Sequence, residues 1–329
     1  MATVLVSGAI NWDTTCLVNH LPIPGEEVTC DSVSEVPGGT GANTAVAAAR
    51  ILGPGEVALF AALGRDSITQ LQLAILDTEG VVHESVVRIG GQPSGHAYIL
   101  VDHTGQNVIA SSLGANSALN TRHARQAKLS TLLQECRCVV LTDPPLPVAS
   151  YLLQAAAALD LPALWDPGIL AGLGWAALAP LTRHVDSLVL NEAEAEQLFG
   201  VADPEDILRS LDLRGAPACI VLKRGARGSL LLECVTGATT RIPPLPLDPL
   251  GLTVVSSVGC GDVFLGTYAA YLSMGSARGD ALVMASAAAG MNATSPETRG
   301  GPTRLMLEDV LKRAIPLGFT SLGADGTVP

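Results

Sequence analysis

Ser256-Ser257-Val258-Gly259-Cys260-Gly261-Asp262-Val263-Phe264 is the stretch on which the reading of the chain turns. An apolar run read as extended, Leu252 to Val255, leads into it. A helical run from Asp262 to Met274 leads out and closes on Gly275. Two glycines thus flank one small residue directly before an acid at a helix start. Glycine lets successive N–H groups turn into one concavity, and a helix N-terminus adds about half a positive charge. Such a place holds an anion, often a phosphate. An aspartate there repels the same anion, which makes sense if it takes a proton from a hydroxyl attacking a phosphoryl group. The competing reading is a glycine turn with Asp262 as N-cap, because short glycine motifs are weak signals.

A second glycine-rich stretch, Gly38-Gly39-Thr40-Gly41-Ala42-Asn43, also opens a helix. Its small residues let a ligand approach the backbone, and Asn43 could offer a donor and an acceptor to a polyol. A tight turn with an Asn in the first helical turn is the alternative. Together, one glycine-rich helix start could hold an alcohol while the other holds the phosphate to be moved. Asn11-Trp12-Asp13 follows the first strand and Asp143 ends another, where ligands bind in doubly wound sheets; either acid could instead cap a turn. Asn191-Glu192-Ala193-Glu194 could meet Mg2+ through water near a nucleotide, or simply cap a helix. Lys223-Arg224-Gly225-Ala226-Arg227-Gly228 offers cations and bare backbone to a triphosphate, or is a solvated hairpin turn.

Composition narrows the field. The chain has 329 residues, 48% hydrophobic and 15% charged, enough for one large α/β domain and too apolar for a disordered protein. A net charge of −12 argues against nucleic acid or an anionic membrane as partner. The first residues read as a strand and not as a signal peptide, and no apolar stretch reaches membrane-spanning length. Seven cysteines without a C-x-x-C pair read as reduced, mostly buried thiols of a cytoplasmic protein. Cys260, between its glycines, is expected to be exposed and somewhat acidic. Six scattered histidines show no zinc-ligand spacing, and no G-x-S-x-G occurs.

Strand and helix signals alternate, which predicts an α/β fold with a largely parallel sheet. Strands are expected at 4–8, 57–63, 138–142, 162–165, 187–190, 218–222 and 229–234. Helices are expected at 43–52, 67–78, 121–135, 147–159, 192–199, 204–211, 262–274, 278–291 and 303–314. Residues 85–110 alternate apolar and polar around a turn at 102–105, a hairpin signal. The tail from Pro316 is expected to fray. One domain with a β excursion built from about 12–37 and 85–110 fits this pattern. Such an excursion could act as a lid that excludes water.

The order of these motifs resembles that of the ribokinase-like sugar kinases, the PfkB carbohydrate kinase family, over about residues 3–315. The stretches that carry the resemblance are Gly8-Ala9-Ile10-Asn11-Trp12-Asp13, Pro24-Gly25-Glu26, Gly38 to Asn43, Gly64-Arg65-Asp66, Asn191 to Glu194, Lys223 to Gly228 and Gly259 to Asp262. It implies a three-layer αβα sandwich with a small β-sheet lid, and transfer of the ATP γ-phosphate to a sugar or nucleoside hydroxyl. Asp262 matches the catalytic base, and Gly259, Cys260 and Gly261 match the anion hole. Asn11, Asp13, Gly39, Thr40, Asn43 and Asp143 match sugar-holding positions. Asn191, Lys223, Gly225, Arg227, Gly228 and Ser286 match the ATP site, and Glu194 the Mg2+ region. A homodimer through the lid is a further implication.

Two departures stand out. Thr40 replaces the Lys usual in ribokinases proper, which removes a cation from the sugar loop and weakens the expectation of ribose. Ser256-Ser257 replaces an Asp-Thr whose acid helps hold a potassium ion, so K+ activation is in question, although carbonyls near Arg299-Gly300-Gly301 could offer a site. A nucleoside kinase is the alternative within the same chemistry, with Trp12 and Tyr98 as stacking partners. A non-catalytic sugar or nucleotide sensor is the alternative in another class, against which the intact Asp262 argues.

Overall fold

The fold follows from where the apolar runs can hide. A computed structural model describes residues 2–104, 106–211, 215–320 and 322–323, the last pair by backbone alone. Gly105 of the expected turn, and Ser321 and residues 324–329 of the tail expected to fray, lie outside the described residues. In chain order, β1 (Val4–Gly8), β2 (Asn11–Val18) and β3 (Cys30–Gly38) lead to α1 (Thr40–Leu52). Then come β4 (Val57–Phe60), β5 (Ala62–Leu63), α2 (Ser67–Thr78), β6 (Val87–Arg88), β7 (Gly95–Asp102) and β8 (Asn107–Ser112). The short helices α3 (Ala115–Ala118), α4 (Thr121–Ala124) and α5 (Ala127–Glu135) precede β9 (Cys138–Thr142), α6 (Leu146–Ala158), β10 (Ala163–Asp166) and α7 (Trp175–Thr182). The rest comprises β11 (Ser187–Asn191), α8 (Glu192–Phe199), α9 (Pro204–Ser210), β12 (Cys219–Lys223), β13 (Ser229–Glu233) and β14 (Thr239–Ile242), then α10 (Cys260–Ser273), α11 (Arg278–Asn292), α12 (Arg304–Ala314) and β15 (Leu322–Gly323).

Nine strands form one sheet in the order β15-β14-β13-β12-β11-β10-β9-β1-β4. It is parallel from β12 to β4, and β13 to β15 extend it antiparallel. The five residues of β1 are all buried, as a strand covered on both faces requires. Its side chains alternate between two cores. Val4 and Val6 pack with residues of α1, α10, α11 and α12, while Leu5 packs with those of α5, α6, α7 and α8. That is the three-layer αβα sandwich.

A second sheet, β3-β2-β7-β8, stands apart from the first. Its strands are less buried, and Val33, Tyr98, Val108 and Ile109 are exposed. Its second segment begins at Gly95, because Val87–Arg88 pairs instead with Ala62–Leu63.

Other differences have local causes. The strand expected over 57–63 breaks after Phe60, and its last two residues turn to meet β6. The helix expected over 121–135 is two helices, the first opened by an Asn120–His123 capping box and ended by a turn at residues 125–126. Leu252 to Val255 forms no strand; Val254 and Val255 are exposed, and the Val255 N–H reaches the Ala293 carbonyl oxygen. α7 and β14 carry no clear periodicity in sequence and were not anticipated. Four cysteines are buried, whereas Cys16, Cys30 and Cys260 are only half-buried.

α1 and α10 cross closely through a glycine. A Cβ at Gly266 would stand 2.4 Å from the Thr44 carbonyl oxygen and 2.9 Å from Ala47 Cβ. Gly266→Val is expected to cost about 1–3 kcal/mol through overpacking. Chemical denaturation of the two proteins checks this, and an unchanged midpoint would contradict the close crossing.

Candidate active site

Polar side chains collect where the parallel strands end. β1 ends at Gly8, β9 just before Asp143, β10 at Asp166, β11 at Asn191 and β12 at Lys223. β1 lies between β4 and β9, so the connections diverge there and leave a crevice beyond the strand ends.

Two helix N-termini point into this crevice, and each is preceded by a glycine in the left-handed region. Gly39 has φ 91° before α1, and Gly259 has φ 76° before α10. Neither place admits a side chain: a Cβ would stand 2.6 Å from the Ala9 carbonyl oxygen at Gly39 and 2.0 Å from that of Thr298 at Gly259. Because Gly259 is the N-cap, Asp262 is the third residue of α10, which corrects the alternative that made Asp262 the cap. Its Oδ2 accepts instead from Asn43 Nδ2 at 2.8 Å, across 219 residues of chain. The two glycine-rich helix starts therefore meet.

Acids crowd around one lysine. Lys223 Nζ donates to Asp166 Oδ2 at 2.6 Å and lies 3.6 Å from where a Cβ of Gly261 would be. Burial opposes the Lys223 charge, but Asp166, Glu194 and Asp262 outweigh it and raise its pKa. Burial pushes the Asp262 carboxyl up to about 7; the Asn43 hydrogen bond and Lys223 pull it down, while Asp166 and Asp143 push with burial. Asp143 is pushed up to about 6 by burial and then by Asp166. Its Oδ2 accepts from Thr40 Oγ1 at 3.1 Å and its Oδ1 from the Ile169 N–H at 3.2 Å.

Beside Asn43, burial raises the Asp13 carboxyl against the pull of Arg299 and His96, and its Oδ1 is buried without a partner among the described residues. Asn11 Oδ1 accepts from Asn116 Nδ2 at 2.9 Å. Asn43 Oδ1 accepts from Arg299 Nε at 2.9 Å. Asp166 and Asn116 were not singled out in the sequence, and Arg299 was named there only for its backbone carbonyl. Asp166 carries the strand-end signal that picked out Asp143, but Asn116 and Arg299 carry none.

On the other side of Asp262 lies a cleft of about 720 Å3, lined among others by Asn191, Lys223, Gly225, Gly228, Gly261 and Ser286. Pro244, Pro246 and Phe264 give it apolar walls. A drug-sized ligand needs roughly 300–1,000 Å3. Ser286 Oγ donates to the Pro243 carbonyl oxygen at 2.7 Å. The Arg227 side chain pairs with Glu192 at the surface. Asn191 and Glu194 form a reciprocal capping box, with Glu194 Oε2 accepting from the Asn191 N–H at 2.7 Å. Burial pushes Glu194 up to about 6. Among the described residues no three His, Cys, Asp or Glu converge on a metal position.

Cys260 also departs from expectation. It is half-buried, burial raises its thiol, and the Asn292 amide beside it only partly offsets that rise. The segment before it does not fit a monovalent cation. Ser256 Oγ accepts from the Val258 N–H at 3.2 Å, the Val258 carbonyl accepts from Asn292, and the Ala293 carbonyl accepts from Val255 and Ser256. The carbonyls of Arg299 and Gly301 both accept from Arg50. Neutral hydroxyls and engaged carbonyls replace the carboxylate that such an ion wants.

The chain is similar to known proteins in sequence and fold. The pfkB family carbohydrate kinase model matches residues 1–304. The ribokinase of Bacillus subtilis is 28% identical over 316 residues, covering 94% of this chain and 100% of that protein. A bifunctional ribokinase/ribose-5-phosphate isomerase A of Fructilactobacillus sanfranciscensis is 28% identical over 280 residues, covering 83% of this chain and 49% of that longer protein. The solved Arabidopsis thaliana ribokinase, complexed with ribose and ATP, superposes with a TM-score of 0.83 at 24% identity, covering 95% of this chain and 99% of that one. The two glycine-rich helix starts, the strand-end acids and the whole-chain match lead to one conclusion: the chain belongs to the pfkB family of carbohydrate kinases.

Proposed function

We propose that the protein moves the γ-phosphoryl group of ATP to a primary hydroxyl of a small sugar, with Asp262 as the general base. The observation that carries this reading is the Asn43–Asp262 hydrogen bond. It links an acid of near-neutral pKa to the polar side chains gathered at the strand ends, next to a nucleotide-sized cleft. A base working near neutral pH needs a pKa close to that pH.

In this reading the sugar lies against Asn11, Asp13, Gly39, Asn43 and Asp143, and the unpartnered Asp13 Oδ1 accepts one of its hydroxyls. Thr40 is already committed to Asp143, so it shapes the pocket and does not reach for the sugar. ATP lies in the cleft, with its phosphates toward Lys223 and the N–H groups of Gly259 to Gly261. A γ-phosphate held there stands before the N-terminus of α10, where its growing negative charge is stabilised. Mg2+, held by the phosphates and through water by Asn191 and Glu194, would neutralise charge on the transferring group. Asp262 takes the hydroxyl proton as the oxygen attacks. The β3-β2-β7-β8 sheet closes over the sugar as a lid and offers its exposed apolar residues to a second copy. The protein works in the cytoplasm; among the described residues no helix is long and apolar enough to cross a membrane.

A coupled ADP-release assay across pentoses, hexoses and nucleosides tests the substrate class, and turnover of nucleosides alone would overturn it. Asp262→Asn is expected to lose on the order of 10²–10⁴-fold in kcat with sugar binding retained. Turnover near wild type would remove Asp262 as the base. The base must be ionised, so kcat/KM is expected to fall as pH drops below about 7 and to level off above it. A profile flat down to pH about 5, where an ordinary carboxylate is still ionised, contradicts the raised acid. Replacing potassium by tetramethylammonium is expected to leave kcat/KM unchanged, and a strict requirement for potassium would refute the misfit described above.

A further inference from the structure

We propose that Arg299 is a positioning residue for phosphoryl transfer: a side chain that can only donate, it fixes the Asn43 amide so that its nitrogen faces Asp262. The inference rests on the reading of Asp262 as the base. Arg299 lies between α11 and α12 and is only 6% exposed. Its Nε donates to Asn43 Oδ1 at 2.9 Å and its Nη2 to the Gly38 carbonyl oxygen at 3.2 Å. A guanidinium has five N–H donors and no acceptor, so Asn43 must turn its oxygen toward it. The amide nitrogen is then left to donate to Asp262 at 2.8 Å. An amide free to rotate could present its oxygen to that carboxylate, an arrangement that suits only the protonated acid.

The same guanidinium reaches the sugar side. Its charge draws the Asp13 carboxyl down, and Arg299 Nη1 and Asp13 Oδ1 are both buried without a partner among the described residues. The Arg299 backbone is anchored separately. Its carbonyl, with that of Gly301, is held by Arg50, which is itself paired with Glu79. Replacing the side chain therefore leaves those backbone bonds in place. Besides Asn43, the groups acting on Asp262 are Lys223 of β12, Asp166 of β10 and Asp143 after β9, together with Arg299 itself.

The test compares kcat/KM against pH for wild type, Arg299→Gln and Arg299→Lys, with thermal unfolding and ATP binding as checks of fold. Glutamine can accept as well as donate and carries no charge. It should move the acid limb about one pH unit upward, a loss of roughly tenfold below the limb and little above it, and should raise the sugar KM. Lysine keeps the charge and only donates, so its limb should return to the wild-type position. In an Asn43→Ala background the glutamine substitution should produce a smaller shift than in wild type, because the part that passes through Asn43 is gone and only the direct effect of the charge on Asp262 remains. A purely structural arginine would lower kcat equally at every pH. That result, a displaced limb in the lysine variant, or a glutamine shift undiminished without Asn43 would each overturn the proposal. If the glutamine variant does not fold, a displaced limb in the lysine variant still overturns it. Retained turnover in Asp262→Asn would instead remove the base reading and is scored separately.

Discussion

One hydrogen bond joins the halves of this site. Asn43 Nδ2 and Asp262 Oδ2 lie 2.8 Å apart, although 219 residues separate them in the chain. Each sits within the first turns of a helix whose glycine N-cap can take a left-handed φ. The bond forms only because α1 and α10 pack against the same face of the sheet and cross at Gly266. Close packing of small residues thus precedes the chemistry. A bulkier α10 would hold the two helix starts apart.

The second constraint is electrostatic. Asp143, Asp166 and Glu194, from the ends of neighbouring strands, and Asp262, from the start of α10, surround Lys223, a charge set too acidic to be ionised throughout without cost. Burial and mutual repulsion raise three of these acids toward neutrality, and Lys223 with the Asn43 amide limits the rise at Asp262. An acid held near neutral pKa can both take up and release a proton at ordinary pH, as a general base must. A triphosphate approaching the same lysine adds further negative charge, which the N-terminus of α10 is placed to offset.

What the chain order could reveal depended on whether a residue's task was local. The strand β1 and the helices α1 and α2 are local, and the sequence showed them. The helix over 121–135 was read as one piece because its periodicity runs through residues 125–126, where the chain in fact turns. Cys260 looked exposed and acidic from its glycine neighbours, but Asn292, brought from the end of α11, helps to bury it.

The sequence by itself determined the layers, the glycine-rich helix starts and the acid that follows one of them. Backbone conformation and apolar periodicity are properties of neighbouring residues, and these features need nothing more. Only the tertiary structure decided that Asn43 would meet Asp262, that Arg299 would hold Asn43, and that Asp166 would take Lys223. Those partners come from separate strand ends and loops. Their energies come from burial and from charges brought together by the sheet, which no stretch of sequence contains.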